Sequence, residues 1–182
     1  MKTAIVFLAE GFEEIEAITV VDLLRQGNIE VDIISVTNNK FVTGRTNITI
    51  VADYNIDEKE MRGYDALILP GGMPGTNNLI ENKIVCDTIL KFNDKKKLIS
   101  AICAAPIVFG KLGVLEGKKA CCYPGFENEL LGAKVSNGSV CVDGNIITSK
   151  GIGTAIEFAL SIIGYLEGKS VSERVSKSII YK

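Results

Sequence analysis

The stretch "LISAICAAPIVFG", residues 98–110, begins as an apolar run typical of a buried strand and continues with helical spacing. Similar apolar runs alternate with helix-period segments along the chain. This alternation predicts an α/β protein with a doubly wound, mostly parallel sheet and helices on both faces. We predict core strands in "TAIVFLA", "EVDIISV", "DALILP", "KLISAI" and "KKACCY", and helices at 12–26, 75–92, 104–112 and 153–166.

Two regions interrupt the alternation. Residues 40–53, "KFVTGRTNITIVAD", and residues 136–149, "SNGSVCVDGNIITS", each indicate a strand, a turn and a second strand. In the second region Asp143-Gly144 is a dipeptide typical of a tight hairpin turn. We therefore expect small antiparallel additions to the parallel core. A chain of 182 residues without an internal repeat or linker predicts a single domain over residues 1–182.

Charge, hydropathy and cysteine spacing limit the classes of function. The net charge of -2 gives no basic face for nucleic acid, and no apolar run approaches the roughly 18 residues of a membrane span. The first apolar run, Ala4 to Ala9, is shorter than that of a secretory signal and is followed by acids. The five cysteines show no CxxC spacing, and the chain contains no histidine. We expect a soluble cytoplasmic protein with no metal site, no disulfide scaffold and a small molecule or protein as partner.

Cys103 lies where the strand of the opening stretch gives way to the helix. Ala101 and Ala105 lie two residues to either side and Ala104 is adjacent, which resembles the small-x-nucleophile-x-small pattern of a nucleophile elbow. A helix N-terminus at this position would lower the pKa of the thiol. The spacing alone equally allows a core cysteine at a strand end.

Glu16 is the second candidate residue. On a helical wheel it lies between Val20 and Leu23, so its side chain belongs to the apolar face of the first predicted helix. Burial raises the pKa of a carboxyl group, and a protonated Glu16 would donate a hydrogen bond to a thiolate. We interpret Glu13 and Glu14 instead as acids that complement the dipole or cap the start of the helix.

A glycine turn follows the third predicted strand, in "LPGGMPGTNN" at residues 69–78. It lacks the Gly-Lys-Ser/Thr of a phosphate loop, and "GIGTAI" at residues 151–156 lacks the rest of a dinucleotide fingerprint, so we expect no nucleotide cofactor. Gly71 suits a tight turn. The backbone amides of Gly72 and Ala104 are candidates for stabilising negative oxygen on a substrate carbonyl.

Several motifs together resemble the ThiJ/PfpI superfamily and, within it, the DJ-one branch linked to Parkinsonism. The resemblance implies a flavodoxin-like fold, a homodimer, and a reactive cysteine that is hydrogen-bonded to a protonated glutamate. The matching positions are Cys103 and Glu16, with Gly72 and Ala104 as backbone oxyanion donors. The motifs are "AIVFLAEGFEEIEA", "VDLLRQGNIEVDI", "YDALILPGGMPGTNNL", "LISAICAAP" and "SKGIGTAIEFALSII".

The sequence departs from the family pattern at three pocket positions. Tyr123, in "CCYPG", stands where many relatives have a histidine before a proline. Ala104 replaces the histidine that follows the nucleophile in peptidase-like members, and Ile152 replaces a proline common in this branch. Without histidine, peptidase and glutamine amidotransferase chemistry are disfavoured. We expect Tyr123, Gly71 and Ile152 to shape the pocket.

The resemblance implies two main functions. The first is a cofactor-independent enzyme of stress protection that acts on a small reactive aldehyde or a glycated substrate, by glyoxalase chemistry from methylglyoxal to lactate or by protein or nucleotide deglycation. The alternative is a non-catalytic oxidative-stress sensor or redox-regulated chaperone that uses the same Cys103. An amidase or hydratase ranks below both. The sequence does not decide among them.

Overall fold

A computed structural model describes residues 1–181 and contains, within them, a seven-stranded central sheet. The strand order is β10-β11-β7-β6-β1-β2-β5, and every neighbouring pair is parallel except β10 and β11. The strands are β1 (Thr3–Leu8), β2 (Glu30–Ser35), β3 (Phe41–Thr43), β4 (Thr49–Val51), β5 (Tyr54–Asn55), β6 (Ala66–Leu69), β7 (Leu98–Ile102), β8 (Lys119–Ala120), β9 (Lys134–Val135), β10 (Val140–Asp143) and β11 (Ile146–Ser149).

Helices cover both faces of this sheet, which confirms the predicted doubly wound α/β fold. Side chains alternate along a strand, so Val6 of β1 enters one core and Phe7 the other. The core on Val6's side includes residues of α1, α5 and α6, and the opposite core includes residues of α2, α3 and α4. The helices are α1 (Glu14–Gln26), α2 (Gly75–Glu81), α3 (Lys83–Asp94), α4 (Pro106–Lys111), α5 (Ala155–Glu167) and α6 (Lys169–Ser178). None of the helices within residues 1–181 combines the length and hydropathy needed to cross a membrane.

The two predicted hairpins have different positions. The pair β10–β11 is an antiparallel addition to the central sheet, as expected. The pair β3–β4 is antiparallel too, but it forms a separate two-stranded sheet. Its turn is fastened to the start of α1, because the Arg45 amide donates to the Phe12 carbonyl at 2.9 Å.

Two predicted elements are wrong in their extent, and one helix was not predicted. The stretch "KKACCY" is not a core strand, because only Lys119–Ala120 is extended and pairs with Lys134–Val135 outside the central sheet. The helix predicted over 75–92 is two helices, because the Asn82 side chain caps α3 by accepting from the amides of Ile84 and Val85. The chain also continues into α6, which the hydropathy pattern did not predict.

The strand order reverses direction at the neighbouring strands β1 and β6. From β1 the chain continues to β2 on one side, and it returns to β6 on the other side. In open sheets of this type, ligands bind at the carboxyl ends of the strands next to such a reversal. The loops that follow β1, β6 and β7 contain Glu13, Gly72 and Cys103, respectively.

Candidate active site

A cavity of about 570 Å³ opens at the carboxyl ends of these strands. It brings together residues from the start of α1, the β3–β4 turn, the loop after β6, the elbow after β7, and the segments around residues 123 and 151. The lining residues are Glu13, Glu16, Arg45, Gly72, Met73, Cys103, Ala104, Tyr123, Pro124, Phe126, Lys150, Gly151, Ile152, Gly153 and Thr154.

Cys103 forms a tight elbow between β7 and α4. Its φ is 64°, in the left-handed region that costs a non-glycine residue about 1–2 kcal/mol. The backbone on both sides holds this conformation in place. The Cys103 amide donates to the Ser149 carbonyl at 3.0 Å, and the Cys103 carbonyl accepts from the Tyr123 amide at 2.8 Å. The thiol is therefore presented to the cavity by a fixed backbone.

Glu16 lies in the first turn of α1 and is fully buried, on the apolar face of the helix. Its Oε2 accepts a hydrogen bond from the Gly71 amide at 2.9 Å. Its Oε1 is buried and has no hydrogen-bond partner among residues 1–181. Burial raises the pKa of this carboxyl group from 4.5 to about 7, so both of its protonation states are populated near neutral pH.

Cys103 and Glu16 lie close enough to change each other's ionisation. Burial and the Glu16 carboxylate raise the pKa of the Cys103 thiol to about 12, and the amides of Ala104 and Gly72 oppose this shift without cancelling it. Because burial is the largest cause of this rise, the lowered thiol pKa predicted from a helix N-terminus is wrong. Because each charge disfavours the other, the pair holds one negative charge over a wide pH range.

Gly71 and Gly72 keep the space around this pair open. A Cβ at Gly71 would lie 2.5 Å from the Cys103 Cβ and 2.9 Å from Glu16 Oε2. A Cβ at Gly72, where φ is 93°, would lie 2.5 Å from the Glu13 amide nitrogen. Gly72 lines the cavity, whereas Gly71 lies behind it and is not among the lining residues. Gly71 therefore acts as a spacer between the thiol and the carboxyl group.

The sequence did not indicate the role of Glu13 or the position of Arg45. Glu13 is the N-cap residue of α1, but its side chain makes no capping hydrogen bond. It is 5% exposed and forms an ion pair with Arg45 at 2.7 Å, and both residues line the cavity. The contact between Glu13 and Arg45 depends on docking of the β3–β4 turn against α1. Residue spacing does not predict such a long-range pair.

Glu14 is also more than a complement to the helix dipole. It is buried, and its Oε1 accepts from the Thr46 amide at 2.8 Å and the Thr46 hydroxyl at 2.6 Å. These hydrogen bonds lower the pKa of Glu14 despite its burial. Glu14 therefore fastens the β3–β4 turn to α1 next to the cavity.

The outer wall of the cavity is mainly apolar. Tyr123 and Ile152, two of the predicted pocket residues, line it with exposed fractions of 50% and 43%. The Tyr123 and Phe126 rings lie 6.3 Å apart between centroids. Lys150 adds a cation whose Nζ donates to the Asn137 carbonyl at 2.7 Å. Within residues 1–181, no group of three or more His, Cys, Asp or Glu side chains is arranged to hold a metal ion.

Comparison with known proteins identifies the family of this chain. Residues 2–164 match the DJ-1/PfpI family. The chain belongs to the DJ-1/PfpI family. It is 37% identical to protein dj-1beta of Drosophila melanogaster, over 98% of this chain and 97% of that protein. It is 35% identical to the Parkinson disease protein 7 homolog of Danio rerio, over 100% of this chain and 98% of that protein.

The structure of oxidized DJ-1 from Toxoplasma gondii has the same fold as this DJ-1/PfpI family chain. The TM-score is 0.96 at 34% sequence identity, and the superposition covers 100% of this chain and 99% of the other. The resemblance seen in the sequence motifs is thereby confirmed for both family and fold.

Proposed function

We propose that this DJ-1/PfpI family protein is a cysteine-dependent, cofactor-independent enzyme that converts small reactive carbonyl compounds, with methylglyoxal giving lactate. The observation that carries the proposal is the buried Glu16 carboxyl group beside Cys103, with both residues lining the same cavity. A nucleophile next to a group that titrates near neutral pH supplies both functions that this rearrangement needs.

The first step is addition of the thiol to the aldehyde. The Cys103 sulfur forms a bond to the aldehyde carbon, and the thiol proton passes through Glu16 to the aldehyde oxygen, giving a hemithioacetal. Because its pKa is raised, the thiol holds its proton near neutral pH, so Glu16 acts as a general base that takes this proton as the sulfur–carbon bond forms. The amides of Ala104 and Gly72 already stabilise charge on the sulfur and would stabilise charge that develops on the oxygen.

The second step moves a hydrogen between neighbouring carbons. The Glu16 carboxylate removes the proton from the former aldehyde carbon, giving an enediol, and returns it to the adjacent carbonyl carbon, while the hydroxyl proton moves from the first oxygen to the second, giving the lactate thioester. The first carbon is oxidised and the second is reduced, so no external redox partner is required. Water then hydrolyses the lactate thioester and restores the thiol. Glycated amines formed from methylglyoxal are a second substrate class: the sulfur displaces the amine from the former aldehyde carbon, the C–N bond breaks, and the amine leaves with the thiol proton, which gives the same hemithioacetal.

Substitution of the nucleophile tests the proposal. We expect Cys103→Ser to slow lactate formation by at least about a thousandfold, because the hydroxyl group is a much weaker nucleophile than the thiol–carboxylate pair. Proton NMR of methylglyoxal and lactate measures the rate. Cys122→Ser is the matched control, since it replaces a neighbouring thiol that is buried and does not line the cavity. A Cys103→Ser variant as fast as the parent would sink the proposal.

A second candidate function is sensing of peroxide by the same thiol. Cys103 is only partly buried, whereas Cys121, Cys122 and Cys141 are buried. Its sulfur would take one oxygen from each of two peroxide molecules, giving sulfenic and then sulfinic acid and releasing two waters. The Ala104 and Gly72 amides would hold the sulfinate oxygens. The similar Toxoplasma gondii protein is described in an oxidized form, which favours this candidate.

Mass spectrometry after mild peroxide treatment tests the sensor function. We expect two added oxygens on Cys103 before any other cysteine is modified. Cys86 is the internal control, because it is also partly buried but its Sγ donates to the Ile80 carbonyl at 3.2 Å. Oxidation of Cys86 or Cys121 ahead of Cys103 would contradict the sensor proposal.

We also propose that the protein forms a homodimer, as the family resemblance implies. Ile15 and Ile18 of α1 and Ile48 and Val51 near β4 are all about half exposed, at 48–58%. A contiguous exposed apolar patch favours an interface, and Ile18 of α1 and Ile50 of β4 line one surface cavity. Ile18→Asp should shift the mass measured by light scattering from dimer to monomer, whereas Ile180→Asp should not. A parent protein that is monomeric at high concentration would exclude the dimer.

A further inference from the structure

A second cavity of about 570 Å³ lies at the opposite, amino-terminal edge of the central sheet, where β6 and β7 begin. It does not share a lining residue with the candidate active site. Five of its lining residues are cationic and one is acidic, although the whole chain has a net charge of -2. The lining residues are Lys59, Glu60, Met61, Arg62, Gly63, Ile84, Thr88, Lys91, Phe92, Lys95 and Lys97.

One wall of this cavity is a face of α3. Ile84, Thr88, Lys91 and Lys95 follow one another at intervals of four, three and four residues, so they lie along one side of the helix. Lys91 and Lys95 are exposed, and neither forms an ion pair with residues 1–181. A helix C-terminus attracts cations, but this preference does not require them to face a cavity.

The opposite wall is a loop that is anchored on both sides. The Lys59 Nζ forms an ion pair with Asp32 at 3.0 Å, and the Lys97 Nζ donates to the Tyr64 carbonyl. Met61 packs against the adjacent hydrophobic core. Lys59 and Lys97 therefore hold the loop in place and leave Arg62 beside the cavity.

The positive charge of Arg62 is only weakly neutralised by a carboxylate of the protein. Its side chain is 90% exposed and approaches Glu60 at 3.8 Å, a long distance for an exposed pair. Arg62 from the loop and Lys91 and Lys95 from α3 thus supply three cations from two walls of one cavity. Such an arrangement suits a ligand with several negative charges placed close together.

We propose that this cavity binds a small polyphosphate anion of the nucleoside triphosphate class. Lysine binds phosphate as a point charge, and arginine binds two phosphate oxygens at once. A triphosphate matches three cations better than a single carboxylate does, and the cavity volume lies in the range of small-molecule sites. The lining side chains give no specific contacts for a base, so recognition rests on the phosphates.

Calorimetric titration of the full chain in magnesium-free buffer tests this site. The probes are ATP, tripolyphosphate, AMP and adenosine. The test variant is Lys91→Glu/Lys95→Glu. The charge-matched control is Lys111→Glu/Lys177→Glu, whose exposed lysines lie in the last turns of other helices and do not line this cavity. Lys91→Gln/Lys95→Gln removes the two charges without reversing them.

The proposal predicts that ATP and tripolyphosphate bind more tightly than AMP, and that adenosine does not bind. Affinity for ATP should fall at least about tenfold in Lys91→Glu/Lys95→Glu, because charge-assisted contacts to phosphate are lost, and it should fall less in the glutamine variant. The control variant should bind ATP like the parent. The proposal is overturned if the parent does not bind ATP, if the control loses as much affinity as the test variant, or if adenosine binds as tightly as ATP.

Discussion

The two cavities have about the same volume, about 570 Å³, but they differ in what surrounds their charged groups. At the carboxyl edge, Glu16 is fully buried beside Cys103, and each group shifts the pKa of the other. At the amino edge, Lys91 and Lys95 stand exposed on α3. Burial gives Glu16 a pKa near neutrality beside a nucleophile, whereas exposed charges of one sign favour binding of an oppositely charged ligand. Equal volume therefore does not imply equal function.

Among the variants that test this difference between the two cavities, Glu16→Gln should have the largest effect, a loss of methylglyoxal turnover. The amide keeps an acceptor for the Gly71 N–H but neither takes nor returns a proton, so methylglyoxal turnover should fall about 100- to 10,000-fold. Steady-state lactate formation measures the loss. Glu157→Gln, on α5 outside the cavity lining, provides the control for a change of acid to amide. A Glu16→Gln variant with parental kcat would remove Glu16 from the proposed mechanism.

The pH dependence of stability should show the burial of Glu16 directly. Its pKa is raised from 4.5 to about 7, so the folded state holds this proton more tightly than the unfolded state does. Tighter proton binding by the folded state contributes fully to stability below pH 4.5. This stabilisation is lost as the pH rises to about 7, and its loss lowers the free energy of unfolding by about 3 kcal/mol. Glu16→Gln should lack this change.

Chemical denaturation of the parent and Glu16→Gln at pH 4.5 and pH 8 measures this difference. The parent should lose about 3 kcal/mol of unfolding free energy relative to the variant between the two values. Glu30→Gln, at an exposed position, should follow the parent. A constant difference between the parent and Glu16→Gln would show that the carboxyl group is not buried as the structure has it.

Glu16→Gln should also lower the pKa of the Cys103 thiol. The Glu16 carboxylate helps to raise the pKa of Cys103, so Glu16→Gln should lower that pKa and increase alkylation of Cys103 near neutral pH. Rates of iodoacetamide labelling against pH, with Cys103 followed by peptide mass spectrometry, measure the shift. An unchanged or higher thiol pKa in Glu16→Gln would contradict the coupling of the two groups.

The smallest effect is expected when a substitution in one cavity is tested for the function proposed for the other cavity. Lys91→Glu/Lys95→Glu should change methylglyoxal turnover by less than about twofold, because these lysines lie at the other edge of the sheet and outside the active-site lining. Conversely, Cys103→Ser should bind ATP like the parent. A large effect of either variant on the other cavity would show that the two are coupled.

The sequence predicts the succession of strands and helices along the chain better than it predicts the contacts made by loops. The alternating apolar runs and the position of Glu16 on the helical wheel correspond to β1, α1 and the apolar face of that helix. The stretch "KKACCY" is apolar enough for a core strand, yet residues 121–123 leave the strand and pack beside the elbow. Tertiary contacts overrode the local β propensity there.

The thiol pKa and the Arg45 contact show why the site was harder to predict. A helix N-terminus lowers the pKa of a nearby thiol, but burial is the largest influence on the pKa of Cys103 and raises it. Arg45 reaches Glu13 only because the β3–β4 turn docks against α1. Residue spacing reports neither the desolvation of a thiol nor the docking of a distant loop, because both depend on the tertiary fold.

The backbone bonds around Cys103 also bear on when the reactive thiol comes into being. Its amide is held by Ser149 and its carbonyl by Tyr123, both of which follow it along the chain. A growing polypeptide that ends before residue 149 has not yet acquired the carbonyl that fixes the elbow. The unfavourable φ at Cys103 would then relax, and the paired site with Glu16 would be incomplete. Under the proposed function, methylglyoxal turnover would therefore be acquired only late in synthesis or refolding.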